Sequence, residues 1–174
     1  LPAVVPDDSE GGYLAAEAAL SKGHQRVGLL TLPETIIASK QRKIGYLRAH
    51  KERDILVDQD LISSVGEVGD SPDVEQQTLK KILKAMLKLK NPPTAICCGN
   101  DQMAMNIYML MQQWNISIPE QLSIIGFDDY TLISELLNPR LTTVQLPYVE
   151  IGEAAAALLI GKIKGFEGGK NPTK

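Results

Sequence analysis

Two short runs of this 174-residue chain carry polar groups suited to holding a small hydroxylated molecule: Asn100 in CGNDQMAM and Asp128 in IIGFDDY. An asparagine amide both donates and accepts hydrogen bonds, whereas a carboxylate only accepts, and the combination fits the hydroxyls of a sugar. Each residue follows an apolar run and precedes a helical stretch. In an open parallel α/β sheet the ligand crevice lies outside the carboxyl ends of the strands, where such residues would stand. The same residue types also serve as helix N-caps, so the pair alone leaves both readings open. Asp101 and Asp129, one residue further on, are expected to stabilise helix N-termini. No Gly-rich phosphate loop, no nucleophile paired with a base and no metal constellation is visible, so the pattern favours binding over catalysis and calls for no cofactor. His24 and His50 each lack a second ligand at metal spacing.

The elements that must position these residues alternate between strand and helix. Thr94 to Cys98 is a β-rich run fenced by Pro92-Pro93 and Gly99, and Leu122 to Phe127 is another, introduced by Pro119. Arg26 to Thr31 reads as a third strand, after a helix from Ser9 to Leu20 that Gly23 ends. A weak strand is expected at Ile55 to Val57 or Leu61 to Val65, followed by a polar loop from Gly66 to Pro72. Helices are expected from Pro33 to His50, from Asp73 to Lys90, from Asp101 to Trp114 and from Pro147 to Lys164, with Thr142 to Gln145 as an extended crossover. Alternating strands and helices predict an α/β fold, a parallel sheet flanked by helices, in which the strands at Arg26, Thr94 and Leu122 are parallel neighbours.

The chain is 44% hydrophobic and 22% charged, enough for one substantial core and too short for two large domains. Its net charge of -3 and pI near 5.4 lack the basic footprint of a DNA-binding surface. Cys97 and Cys98, adjacent in an apolar strand, suit neither a disulfide between distant segments nor a zinc pattern, and read as core residues of a reducing compartment. No apolar run reaches membrane length and no export signal is visible. The lysines of the Asp73 helix read as a solvated face. The helix from Asp101 is apolar over more than one side and needs a further partner. Gly165 to Lys174 reads as a mobile tail.

The order of these motifs resembles the effector-binding domain of the LacI/GalR family of bacterial transcription regulators. It consists of a strand, NDQMAM opening a helix, IPEQLSIIGFDD, and Pro-x-Leu-Thr-Thr over Pro139 to Thr143. The likeness extends upstream through Val4 to Tyr13, Gly23 to Val27 and Arg42 to Gly45, and downstream to Leu159. It implies a periplasmic-binding-protein-like (Rossmann-like) fold, with residues 1–141 as the C-terminal lobe and the crossover leading into it, and residues 142–174 as a crossover and helix belonging to the N-terminal lobe. The resemblance also implies that Arg42 joins Asn100 and Asp128 in holding the ligand; its planar fork of five donors suits paired oxygens. Met105, Tyr108 and Met109 would lie in a homodimer interface. The partners implied are a small effector, a sugar above all, and operator DNA met through a headpiece outside this chain, in a cytoplasmic regulator. The final helix would pack only lightly on the lobe that holds the site. Where purine- and lactose-type members place an aromatic residue against the ligand, this chain has Gly69, Asp70 and Ser71, a departure that weighs against a purine. A periplasmic sugar-binding protein of a transport system is the alternative with the same crevice chemistry.

Overall fold

The computed structural model describes residues 3–163. Residues 8–145 form one compact unit, and residues 3–7 with 146–163 belong to a second. The expected alternation is present in the larger unit. Helix α1 (Asp8–Leu20) leads to β1 (Val27–Thr31), α2 (Ile37–Glu52), β2 (Ile62–Ser64), α3 (Pro72–Leu87), β3 (Ala95–Cys98), α4 (Asp101–Gln113), β4 (Ser123–Asp128), the single turn α5 (Thr131–Ser134) and β5 (Thr142–Gln145). The five strands lie in the order β2-β1-β3-β4-β5 and every pairing is parallel. The strands at Val27, Ala95 and Ser123 are therefore neighbours, as their patterning predicts. Of the two places offered for a weak strand, the chain uses the second, Ile62–Ser64.

Successive side chains of a strand point to opposite faces, and each face of this sheet has its own core. Leu29, Ala95, Cys97 and Ile125 pack with Ala15, Ala16, Ala19, Tyr46 and Ala49 of α1 and α2. Leu30, Ile96, Cys98 and Ile124 pack with α3 and α4 through Leu79, Leu83, Met86, Ile107 and Met111. The adjacent cysteines are thus divided between two cores, free and buried, and burial pushes the Cys97 thiol up to about 12. They are packing residues.

Helices α1 and α2 cross almost backbone to backbone. A Cβ on Gly12 would run into the main chain of Arg42, and one on Gly45 into that of Ser9, so only glycine permits the approach. That crossing fixes where the Arg42 side chain starts. The Tyr46 hydroxyl, buried beside it, donates to the Val27 carbonyl at 2.7 Å and ties α2 to β1.

Thr142–Gln145, read from sequence as part of the crossover, is the fifth strand of the sheet, paired with β4 from Ile125 to Asp128. The second unit holds α6 (Tyr148–Ile163), on which Tyr148, Val149, Leu159 and Ile160 are exposed and Ile151, Ala154 and Leu158 are half-buried. The Ile163 side chain and the tail expected to be mobile lie outside the described residues.

Candidate functional site

At the carboxyl ends of β3 and β4 the chain makes two turns in sequence-similar fashion and with different outcomes. After β3, Asn100 takes an extended conformation and its Oδ1 accepts from the Met103 amide at 2.8 Å, which makes it the N-cap of α4. After β4, no such cap forms. Asp128 has φ 115° and Asp129 φ 53°, left-handed values that few non-glycine residues adopt. The following helical turn begins at Thr131 with Tyr130 as its flank, without a side-chain cap. The expectation that Asp128-Asp129 opens a helix directly is corrected by this geometry.

Arg42 arrives from α2 across the edge of the sheet. Its Nε donates to Asp8 Oδ1 at 2.8 Å and its Nη1 to the Gly99 carbonyl at 2.5 Å. Its guanidinium lies 3.6 Å from the centre of the Phe127 ring, a cation–π stack that holds the plane of the group. Both members of the Arg42–Asp8 pair are about 13% exposed, so solvent screens the pair only partly. Gly99 precedes Asn100 and Phe127 precedes Asp128. Arg42 therefore gathers the three expected residues at one edge.

The carboxylate of Asp128 is half-buried and accepts no hydrogen bond among the described residues. Burial pushes its pKa up to about 6; Arg42 opposes the shift, and Asp101 and then Asp8 add to it. The site thus offers an open acceptor beside a guanidinium whose Nη2 has no hydrogen-bond partner among the described residues. Asn100, with Oδ1 engaged in the cap, has its amide NH2 left, and it lines a recess of about 60 Å³ with Leu32, Val65, Met103 and Asn106. A sugar-sized pocket is roughly 300 Å³ or more, so these residues form one wall. A cavity of about 320 Å³ lies by Ser123 and Ile124 at the other end of β4 and touches none of the three.

Asp8 and Phe127 were not singled out in sequence. Asp8 is one of several acids at a helix start, and Phe127 is the last apolar residue of a strand; only the crossing of α1 and α2 brings them to Arg42. Asp101, expected to serve the helix dipole, is 1% exposed and accepts from the Tyr130 amide at 2.7 Å and the Thr143 hydroxyl at 2.6 Å. Of the three expected interface residues, Met109 is 47% exposed, Met105 is half-buried, and Tyr108 is only 9% exposed, packed in the core. Next to α4, α5 exposes Leu132 and, just past its end, Leu136.

A parallel sheet with helices on both faces and a polar cluster at the strand ends is the architecture of a ligand-binding α/β domain. The chain matches the periplasmic binding protein-like domain over residues 16–174 and belongs to that family, in the form carried by LacI-family regulators. It is 32% identical over 161 residues to the HTH-type transcriptional repressor PurR of Aliivibrio salmonicida, covering 92% of this chain and 46% of that protein. It is 33% identical over 159 residues to the arabinose metabolism transcriptional repressor of Halalkalibacterium halodurans, covering 91% and 40%. Among solved structures, a sugar-binding LacI-family transcriptional regulator from Escherichia coli complexed with phosphate superposes with a TM-score of 0.82 at 26% identity, covering 98% of this chain and 58% of that one. The chain spans about half the length of the curated relatives it matches. No helix among the described residues is long and apolar enough to cross a membrane.

Proposed function

We propose that the chain is the ligand-sensing domain of a LacI/GalR-like transcriptional repressor, acting in the cytoplasm on operator DNA through a headpiece outside these residues. The observation that carries the ligand site is the half-buried Asp128 carboxylate, without a hydrogen bond among the described residues, beside an Arg42 held in place by Asp8, Gly99 and Phe127. Arg42 and Asn100 donate, Asp128 accepts, and vicinal hydroxyls satisfy all three. A sugar is favoured over a purine because the loop at Gly69, Asp70 and Ser71 supplies no ring to stack on. The relatives being repressors favours regulation over transport. In this reading residues 142–145 stay with the lobe that holds the site, as its fifth strand, the chain leaves that lobe after Gln145, and the effector acts by binding one conformation of the regulator better than another.

Calorimetric titration of the full-length regulator with a panel of pentoses, hexoses and nucleosides tests the reading. Arg42→Ala removes charge-assisted hydrogen bonds worth roughly 1.5 to 3 kcal/mol each, so affinity for the sugar that binds falls at least about tenfold. Equal affinity in parent and variant refutes the site. We further propose a homodimer through Met105, Tyr108 and Met109 on α4. Exposed Met109 on α4, with Leu132 on the adjoining α5 and Leu136 just past it also exposed, supports it. Because Tyr108 is buried, Met109→Lys is the cleaner probe, and sedimentation of the variant shifts toward monomer; a parent already monomeric at high concentration rules the interface out.

A further inference from the structure

Asp101 is the first residue of α4, yet its bonds run to other elements. The Tyr130 amide donates directly to its Oδ2 at 2.7 Å, and the Thr143 hydroxyl of β5 donates to its Oδ1 at 2.6 Å. Thr143 Oγ1 in turn accepts from the Asp129 amide at 3.3 Å. The Asp129 side chain closes the far side, accepting from the Ser134 hydroxyl at 2.9 Å. Two consecutive amides of the turn after β4 are thereby tied, one directly and one through Thr143, to a single buried carboxylate. Gly126 leaves the room this needs, since a Cβ there would overlap Asp101 Oδ1 and stand 3.1 Å from Thr143 Oγ1.

The tied turn contains Asp128 and Asp129, whose left-handed backbone is costly for non-glycine residues and persists only where the surroundings over-determine it. A left-handed φ at the last strand residue directs the Asp128 side chain, and nothing else among the described residues hydrogen-bonds its carboxylate. Resting on the reading of Asp128 as a ligand acceptor, we infer that Asp101 and Thr143 are positioning residues: together they hold the β4–α5 turn in the conformation that sets the Asp128 carboxylate beside Arg42. They touch no ligand. Their effect on binding passes through Asp128, and because Asp101 begins α4, the same bonds tie Asp128 to the helix that carries Met109.

The test follows the Asp128 carboxyl itself by carbon-detected NMR titration of the chain, with hydrogen exchange of the Tyr130 amide. Thr143→Val keeps the shape and the Asp101 side chain and exchanges the hydroxyl for a methyl. If the turn is positioned as inferred, the Asp128 midpoint falls from about 6 toward a solvated aspartate near ~4. Tyr130 amide protection drops at least about tenfold, and Thr143→Ser restores both. Burial raises that midpoint most, Arg42 opposes the rise, and Asp101 and Asp8 add to it; release of the turn weakens all of them, and because burial is the largest the net movement is downward. Thr143→Ala, which adds no methyl beside Gly126, gives the same reading should the valine variant not fold. A variant that loses thermal stability while the Asp128 midpoint stays near 6 overturns the inference, because a merely structural hydroxyl would do that. A parent that binds no sugar would sink the proposed function and leave this titration result standing.

Discussion

Asn100-Asp101 and Asp128-Asp129 are written in nearly the same letters and do opposite work. At the first junction Asn100 caps its own helix, a local bond spanning three residues. The neighbouring Asp101 reaches 29 and 42 residues along the chain to Tyr130 and Thr143. At the second junction there is no cap, the backbone turns left-handed at both aspartates, and the carboxylate of the first accepts no hydrogen bond among the described residues. Residue type and position at a strand end place a polar group in the crevice. Whether that group is spent on the fold or kept for a ligand depends on which backbone amides lie within reach, and that is set by tertiary structure. The comparison divides the four residues into one cap, one buried tie, one half-buried partner of Ser134 and one free acceptor.

The largest expected effect falls on the buried tie. Asp101→Ala leaves the part-buried Tyr130 amide and Thr143 hydroxyl without their acceptor, and each donor left unsatisfied there costs toward the lower end of about 1 to 3 kcal/mol. A loss of about 2 kcal/mol in urea unfolding is expected. An effect below that of removing the Asn100 cap would break the division, since Asp101 would then be an ordinary first-turn acid.

Next comes the free acceptor, for which the sign reverses. A carboxyl whose folded-state pKa stands above its unfolded value favours folding only while protonated. Asp128, raised to about 6 mainly by burial, therefore supports the fold fully below pH ~4 and loses that support as pH rises through about 6. The stability of the parent relative to Asp128→Asn should decline across that window, leaving the asparagine variant the more stable at pH 7, while its sugar affinity is reduced. Stability–pH curves of the two proteins that run parallel from pH 4 to 7 would show that Asp128 is not held in a dehydrated site.

The fold was legible because it rests on short-range pattern. Apolar runs of four to six residues fenced by Pro and Gly located β1, β3 and β4, and their alternation with helices implied parallel pairing. Thr142–Gln145 was harder: its residues are exposed or half-buried at the edge of the sheet, so it lacks the apolar signature of a central strand, and its pairing with β4 is visible only in three dimensions. At the site, Asn100 and Asp128 could be placed by position, and Arg42 by resemblance alone. Asp8, Phe127 and Thr143 could not be found, because each matters through a partner far along the chain: Arg42 is 34 residues from Asp8, and Thr143 is 42 from Asp101. The tie at Asp101 was hidden for another reason. An acid in the first turn of a helix has a sufficient local explanation in the helix dipole, and that explanation conceals the long-range one.

The smallest effect, and the one that sharpens the contrast most, concerns the cap. In the proposed site Asn100 divides two functions between its two side-chain atoms: Oδ1 accepts from Met103, and the amide NH2 is the group offered to the ligand. Asn100→Ala removes both, and loss of a cap costs about 1 kcal/mol. Asn100→Asp keeps the acceptor, so stability is retained, but it replaces the remaining amide donor with a second carboxylate oxygen and removes the capacity to donate. Asn100→Ser likewise caps without an amide. If the division of labour is correct, the Asp and Ser variants unfold within a few tenths of a kcal/mol of the parent, as surface substitutions that leave no unsatisfied group generally do, and yet lose sugar affinity in calorimetry. The alanine variant loses both. A serine variant that binds as tightly as the parent would show that Asn100 serves the helix alone, and that Arg42 and Asp128 carry recognition on this wall without it.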